Sequence, residues 1–274
     1  MLTTDAWVFL NISNPVCAWA TYRSVLVSVP SGPGFISVWT AAMLKNGDPN
    51  RIRRELMLER HRATFFPQRV SRLKGMYCFT DLESAERALK WGSYFRAENL
   101  AELSLAQAKQ GDRMDSNWIS YSEIENSPDP KEAMDSYWSG KPYPHEDPIW
   151  EVLVEGRLIV LGVELREPAY KLIDHYMPES TEILELGRVA AWVGSDLGSS
   201  CGFLRNDGDY VVLDYLMDMR EANDPAFLER IAQLGESGHP MRPEAVQAFR
   251  DDKVRVPDLR PFGFRKLKSE MPVV

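Results

Sequence analysis

Between Arg51 and Lys74 the chain carries eight basic side chains, Arg51, Arg53, Arg54, Arg60, Arg62, Arg69, Arg72 and Lys74, against Glu55 and Glu59. The segment is net +6 in a protein of net −8. A local reversal of sign on this scale suits a polyanion site, because a focused field and bidentate guanidinium–phosphate bonds act together. The same residues also fit a solvated helix face with Arg and Glu paired at helical spacing. The neighbouring strand favours the site. Met76-Tyr77-Cys78-Phe79 reads as a short apolar strand that breaks at Thr80 and Asp81 into a helix over residues 81–90. Thr80 or Asp81 can accept hydrogen bonds from the first helical turn, and Glu83 favours its positive end.

A basic segment followed by a G-x-Y-x-F strand (Gly75, Tyr77, Phe79) opening into a helix resembles the nicotinamide-binding region of the ADP-ribosyltransferase superfamily. That superfamily includes the poly-ADP-ribose polymerases and the DarT-type toxins. A closer likeness spans roughly residues 50–175. It rests on E-x-x-R at Glu59 and Arg62, P-x-R-x-S-R-L at Pro67–Leu73, D-x-N-W-I at Asp115–Ile119 and Y-W-S-G at Tyr137–Gly140. These resemble the RNA-modifying ADP-ribosyltransferase toxin of bacterial toxin-antitoxin-chaperone phage-defence systems. The resemblance implies NAD as co-substrate, no metal, RNA (mRNA) as acceptor and a protein antitoxin as partner.

By the same resemblance Tyr77 stacks on nicotinamide, and Glu151 at the head of a later strand is the catalytic carboxylate, with Glu155, Glu164 and Glu102 as competitors. Arg62 is the preferred contact to the pyrophosphate, with Arg72 and Ser71 beside it and Arg60 as the fallback. The implied fold class is α+β: a split, mostly antiparallel sheet with flanking helices, and a C-terminal helical and strand extension. Residues 1–178 would form the catalytic core and 179–274 the extension packed on it.

Other chemistries find little support. There is no G-x-x-x-x-G-K-[ST] loop and no G-x-G-x-x-G after a strand. Gly194-Ser195-Asp196-Leu197-Gly198 places its glycines differently from a nucleophile elbow and reads as the turn after a helix. His61, His145, His175 and His239 form no H-x-x-x-H or H-E-x-x-H pattern, and Cys17, Cys78 and Cys201 lack paired C-x-x-C spacing. A catalytic metal and a disulfide framework are therefore not expected.

Positioning these residues falls to a series of short elements. Residues 6–12 and 19–29 have strand-like composition, separated by Asn14-Pro15, and Arg23 lies inside the second. Residues 35–46 read as a helix, and 49–62 as another with Asp48 as N-cap and Pro49 at N1. Leu100–Leu105 alternates weakly as a strand. Residues 110–148 read as a long loop carrying Trp118, Tyr121, Tyr137, Trp138 and Tyr143, aromatics able to stack on bases or to pack the loop onto the core. Strands are expected at 149–154 and 158–163, separated by Glu155-Gly156. Beyond them helices are expected at 166–177 and 181–193, a strand at 210–217 and a helix at 225–235 opened by Asp224. A basic tail, 253–268, is a possible arm for RNA or a partner protein.

Hydrophobic residues make up 44% and aromatics 11%, enough for a buried core and too many for disorder. No stretch approaches eighteen uninterrupted apolar residues, and the start lacks the basic and apolar regions of a signal peptide. A soluble, cytoplasmic protein without membrane association is expected. Competing readings are a transferase acting on protein, tRNA or a small molecule, and a non-catalytic binding module whose basic strip meets an acidic partner.

Overall fold

A computed structural model describes residues 5–46, 49–120, 129–236 and 255–270. The fold mixes helices with antiparallel sheets, as an α+β chain should. Asn14 makes the first local decision. Its side chain accepts from the N–H groups of Val16 (2.9 Å) and Cys17 (3.2 Å), and Pro15 occupies N1, so helix α1 (Pro15–Arg23) starts there. The strand expected over 19–29 is thereby reduced to β2 (Val25–Val27). Its aromatic and Thr-containing first half is helical because α1 is buried on nearly every side, where packing overrides β propensity. Before it lies β1 (Ala6–Phe9).

Residues 35–46 divide in the same way. Phe35–Ile36 form β3, and Ser37 Oγ then accepts from Thr40 N (3.1 Å) at the entrance to α2 (Val38–Asn46). Helix α3 (Pro49–Phe65) comes next; Asp48 lies outside the described residues. Then come β4 (Met76–Phe79) and α4 (Leu82–Ala88), the latter capped by Asp81, which accepts from Ser84 N at 2.7 Å.

Among the described residues of the expected loop over 110–148, most belong to regular elements. Strand β5 runs from Leu100 to Asp115, α5 covers Asn117–Ser120 and α6 covers Pro130–Trp138. The later part of β5 is polar, with Lys109, Asp112 and Arg113 exposed, so it lacks an apolar alternation. Backbone pairing to β6 (Trp150–Val160) carries it, with two register shifts on the way. Strand β6 is continuous through Glu155-Gly156, where the sequence pattern predicts a break between two strands; Gly156 takes a positive φ of 117° and the strand changes partner there, from β4 to β2.

The first sheet has the order β2-β6-β4-β1-β5, and β5 also pairs with β6, so four of its strands close into a ring. Val8, Met76, Cys78, Leu103, Val152 and Val154 fill one side of this sheet. Beyond it are α7 (Arg166–Tyr176), α8 (Thr181–Trp192), β7 (Ser200–Asp207), β8 (Tyr210–Met217) and α9 (Pro225–Glu236). Strand β9 (Phe264–Leu267), in the basic tail, pairs with β8 and completes a second sheet, β3-β7-β8-β9. From residue 255 to 270 the tail is therefore built into the fold, with Arg265 over the Tyr210 ring and paired with Asp207.

One large apolar cluster joins Val16 and Trp19 of α1 with Ile173 of α7, Ile183 and Leu184 of α8 and Phe227 of α9. Segments on both sides of residue 178 share that core. Arg23, at the end of α1, is buried and donates to the carbonyls of Val25, Ser195 and Leu197, which locks α1 to the turn after α8.

Candidate functional site

The site begins in the turn that feeds β4. Ser71 O accepts from Lys74 N (3.2 Å) and Gly75 N (2.8 Å), and Ser71 Oγ accepts from Leu73 N (3.2 Å). A Cβ on Gly75 would sit 2.6 Å from Val70 Cγ1 and 3.1 Å from Ser71 O, so the tight return into β4 requires glycine. This turn aims Arg72 inward.

Arg72 meets carboxylates from two directions. Its Nε and Nη2 donate to Glu55 of α3 at 2.7 and 3.0 Å, a bidentate pair, while Nη1 donates to Glu151 Oε1 of β6 and to the Tyr137 hydroxyl of α6. Tyr137 in turn donates to Glu151 Oε1. Glu55, Arg72 and Glu151 are each 4% exposed. The guanidinium lies between two phenol rings, 4.7 Å from the centroid of Tyr77 and 5.3 Å from that of Tyr137.

The antiparallel register explains how Tyr77 and Glu151 meet. Phe79 pairs with Glu151 and Tyr77 with Leu153, so Tyr77 and Glu151 are diagonal neighbours on one face of adjacent strands. The Tyr77 hydroxyl donates to Arg72 O. Tyr77, Arg72, Glu55 and Glu151 all line one cavity of about 690 Å³. Trp39, Trp91, Tyr94 and Phe95 give it an aromatic wall, and Arg51, Arg54 and Lys90 add cations.

The cavity wall carries charge of both signs. At the buried end two carboxylates share the one guanidinium of Arg72. Arg51 and Arg54, half-buried on the same wall, add positive charge that reaches Glu55, and Lys90 is exposed. Arg51 also donates to the Tyr94 hydroxyl at 3.4 Å, and Lys90 pairs with Glu146 at 2.7 Å. Burial alone would raise the Glu55 carboxyl, but the charge and hydrogen bonds of Arg72, supported by Arg51 and Arg54, hold it below its ordinary value. Burial opposes the charge on Arg72, yet Glu151 and Glu55 outweigh it and keep the guanidinium firmly protonated. Burial pushes both Tyr77 and Tyr137 upward, so both phenols are neutral hydrogen-bond donors.

The structure brings together Tyr77, Arg72 and Glu151 but not the other residues singled out from sequence. Arg62, in the last turn of α3, pairs with Glu59 and donates to the carbonyls of Pro67 (3.2 Å) and Arg69 (3.0 Å), which braces the turn after the helix. Arg60 is exposed and Ser71 is buried in the Arg72 turn; none of these three lines the cavity. Arg72 itself is engaged by carboxylates, and Arg51 and Arg54 also line the cavity. Of the loop aromatics, Tyr137 and Trp138 are fully buried, and Trp118 packs edge-on against Tyr143 at 5.0 Å. Tyr121 lies outside the described residues.

Sequence reasoning misses Glu55 as a site member and offers Tyr137 only as a loop aromatic for stacking or packing, not as the hydroxyl between Arg72 and Glu151. A signal for Tyr137 exists in Asp129-Pro130, an N-cap and N1 pair that opens α6, with Asp129 accepting from Lys131 N. Glu55 lies one residue after Arg54 and four after Arg51, so all three sit along the same side of α3. Among the described residues no cluster of three or more His, Cys, Asp or Glu side chains is placed to hold a metal, and no helix is long and apolar enough to cross a membrane.

Residues 37–173, half of the chain, match the family described as Protein of unknown function (DUF2441). The chain belongs to the DUF2441 family. The matched region runs from the entrance of α2 into α7 and contains Glu55, Arg72, Tyr77, Tyr137 and Glu151, so the carboxylate cluster and most of the cavity wall lie within the DUF2441 unit. No curated protein and no solved structure matches the chain.

Proposed function

We propose that this DUF2441 protein is an NAD-dependent ADP-ribosyltransferase whose reaction takes place at Glu151. The observation that carries the reading is a phenol and a carboxylate, Tyr77 and Glu151, side by side on one sheet face over a cavity whose wall also carries Arg51 and Arg54. NAD⁺ carries the complementary charges, a nicotinamidium cation at one end and a pyrophosphate dianion in its middle. The cation fits beside Glu151 and Tyr77, and the pyrophosphate fits Arg51 and Arg54. A volume of about 690 Å³ is within the range of small-molecule and cofactor clefts.

Cleavage of the bond from the nicotinamide nitrogen to the ribose anomeric carbon sends the electron pair to that nitrogen and leaves an oxocarbenium-like ribose. A carboxylate fixed beside that carbon stabilises the developing cation, and such preorganised contacts are worth about 3–4 kcal/mol each. Glu151 is held for this by Arg72 and Tyr137 on one oxygen, Oε1, which leaves Oε2 for a ribose hydroxyl. The nucleophilic atom of the acceptor then bonds to the anomeric carbon and passes its proton to the Glu151 carboxylate, which releases it to solvent. On this reading the chain is a phage-defence toxin of the cytoplasm, silenced by a protein antitoxin, and RNA is its acceptor.

The test is to incubate purified protein with NAD labelled in the adenosine half, with and without cell extract, and to follow free nicotinamide and macromolecular label. The wild type should release nicotinamide and transfer label that ribonuclease removes; Glu151→Gln, folded as judged by circular dichroism, should lose at least about 100-fold in rate. Protease-sensitive label would move the acceptor from RNA to protein. Undiminished release by Glu151→Gln would reject the assignment.

A further inference from the structure

Glu55 makes no contact with NAD in the proposed reaction, yet it is buried in the cavity wall beside Arg72. It takes two of the Arg72 donors in a bidentate pair, and Arg72 then faces Glu151 through its remaining edge. A single arginine against a single carboxylate would neutralise Glu151 and remove the negative charge a cationic ribose needs. Two carboxylates against one arginine behave differently. The Glu55–Arg72 pair is internally neutral, so Arg72 can orient Glu151 by hydrogen bonding without cancelling its charge.

We propose that Glu55 is a positioning residue that keeps the buried end of the cavity anionic: it absorbs the charge of Arg72 so that Glu151 stays both fixed and negative. The inference rests on the transferase reading for its kinetic consequence, but its electrostatic content stands by itself. Three observations support it. Glu55 reaches Arg72 from a separate element, α3, which also supplies Arg51 and Arg54 to the cavity wall. All three charged members of the cluster are buried, where charges act across a low dielectric. Helix α3 is itself tied to α6, which carries Tyr137, by Trp138 Nε1 donating to Leu58 O (3.2 Å) and by His61 Nε2 against Asp135 (2.7 Å). The helices that hold Glu55 and Tyr137 are thereby fixed relative to one another.

Charge and shape give opposite rankings of two variants. Glu55→Gln preserves length and an acceptor but not charge, whereas Glu55→Asp preserves charge but not length. If Glu55 works through its charge, Glu55→Gln should lower the kcat for nicotinamide release by about 10- to 50-fold with KM changed less than about threefold, and Glu55→Asp should stay within about fivefold of wild type. A merely structural role predicts the reverse order, with both variants losing thermal stability in proportion to activity.

A binding measurement on the wild-type chain removes dependence on the variants folding and on turnover. A protonated iminoribitol and its uncharged tetrahydrofuran counterpart, titrated by calorimetry, should differ in affinity by at least about tenfold in favour of the cation. That preference should shrink to less than about threefold in Glu55→Gln. Equal affinity of the wild type for the two probes would overturn the inference. If the wild type prefers the cation yet releases no nicotinamide from NAD, the inference survives and the transferase reading fails; if it releases nicotinamide without preferring the cation, the reverse holds.

Discussion

Replacing Arg72 by methionine tests the buried cluster directly, because methionine keeps the unbranched stem and removes only the charged head. Arg72 serves Glu55 twice, Glu151 once and the Tyr137 hydroxyl once. With all three ionised groups 4% exposed, no discount for solvent screening applies. Removing the shared cation leaves two carboxylates buried without it, a change that costs about 3–5 kcal/mol. Against a typical total stability of about 5–15 kcal/mol, that is a large fraction. At about 2–4 °C per kcal/mol for a chain of this size, the unfolding midpoint should fall by about 6–20 °C at neutral pH.

Acid should reduce the deficit, and the sign comes from the linkage. In the native protein Arg72 and its neighbours hold Glu55 below its ordinary value of 4.5, so its contribution is present above that value and fades as pH falls through the depressed one. In Arg72→Met the largest lowering influence is gone while burial remains, so the Glu55 carboxyl rises. The penalty of the variant is then greatest at neutral pH and starts to shrink above pH 4.5, as the raised carboxyl takes up its proton, and it goes on shrinking as pH falls through the depressed value of the wild type. Urea unfolding at pH 7.5 and pH 4, followed by intrinsic fluorescence and circular dichroism, reads both quantities. A loss under about 1 kcal/mol at pH 7.5, or a loss that grows on acidification, would refute the picture of a desolvated carboxylate pair sharing one guanidinium.

Two other perturbations separate further parts of the account. Tyr137→Phe keeps the ring against Trp138 but deletes the hydroxyl that joins Arg72 to Glu151, so stability should fall by about 1.5–3 kcal/mol and kcat by at least about tenfold with little change in KM; unchanged kinetics would remove Tyr137 from the site. Burial pushes the Cys201 thiol up to about 11 and raises Cys17 and Cys78 further, so a disulfide reagent at pH 7.5 should modify none of the three within minutes in the native protein and all of them in denaturant. A rapid native reaction of Cys17 or Cys78 would contradict the packing around α1 and β4.

The parts of this protein that can be read from sequence are those whose signals are local. Strand β4, the Asp81 cap and α4 follow from an apolar run ended by an N-capping side chain, and α7, α8 and α9 follow from apolar periodicity. Strand β8 is legible because Gly208, at a positive φ of 58°, marks its hairpin turn. The features that escape depend on partners distant in sequence. Helix α1 is buried on most of its surface, so it has no polar face to reveal its period, and Asn14-Pro15 looks like a separator between strands although it is a cap. The polar half of β5 exists because β6 pairs with it.

The site divides along the same line. Motif resemblance points to Tyr77 and Glu151, and the sheet register makes them neighbours. Proximity in sequence to the tyrosine strand points to Arg62 among the arginines, whereas its side chain closes the turn after α3. Glu55 has the spacing of a helical counter-ion at i±3 or i±4; its partner, Arg72, lies 17 residues away and meets it only once the turn before β4 is folded.

The central claim, that NAD⁺ lies with its nicotinamide ring between Tyr77 and Glu151 and its pyrophosphate along Arg51 and Arg54, is tested most directly by a structure with a non-hydrolysable NAD⁺ analogue bound. The account predicts a ribose hydroxyl within hydrogen-bond distance, about 2.6–3.2 Å, of the Glu151 carboxylate, the ring against Tyr77, and phosphate oxygens on Arg51 and Arg54. An analogue bound outside this cavity, or within it but with the nicotinamide end turned away from Glu151, would contradict it.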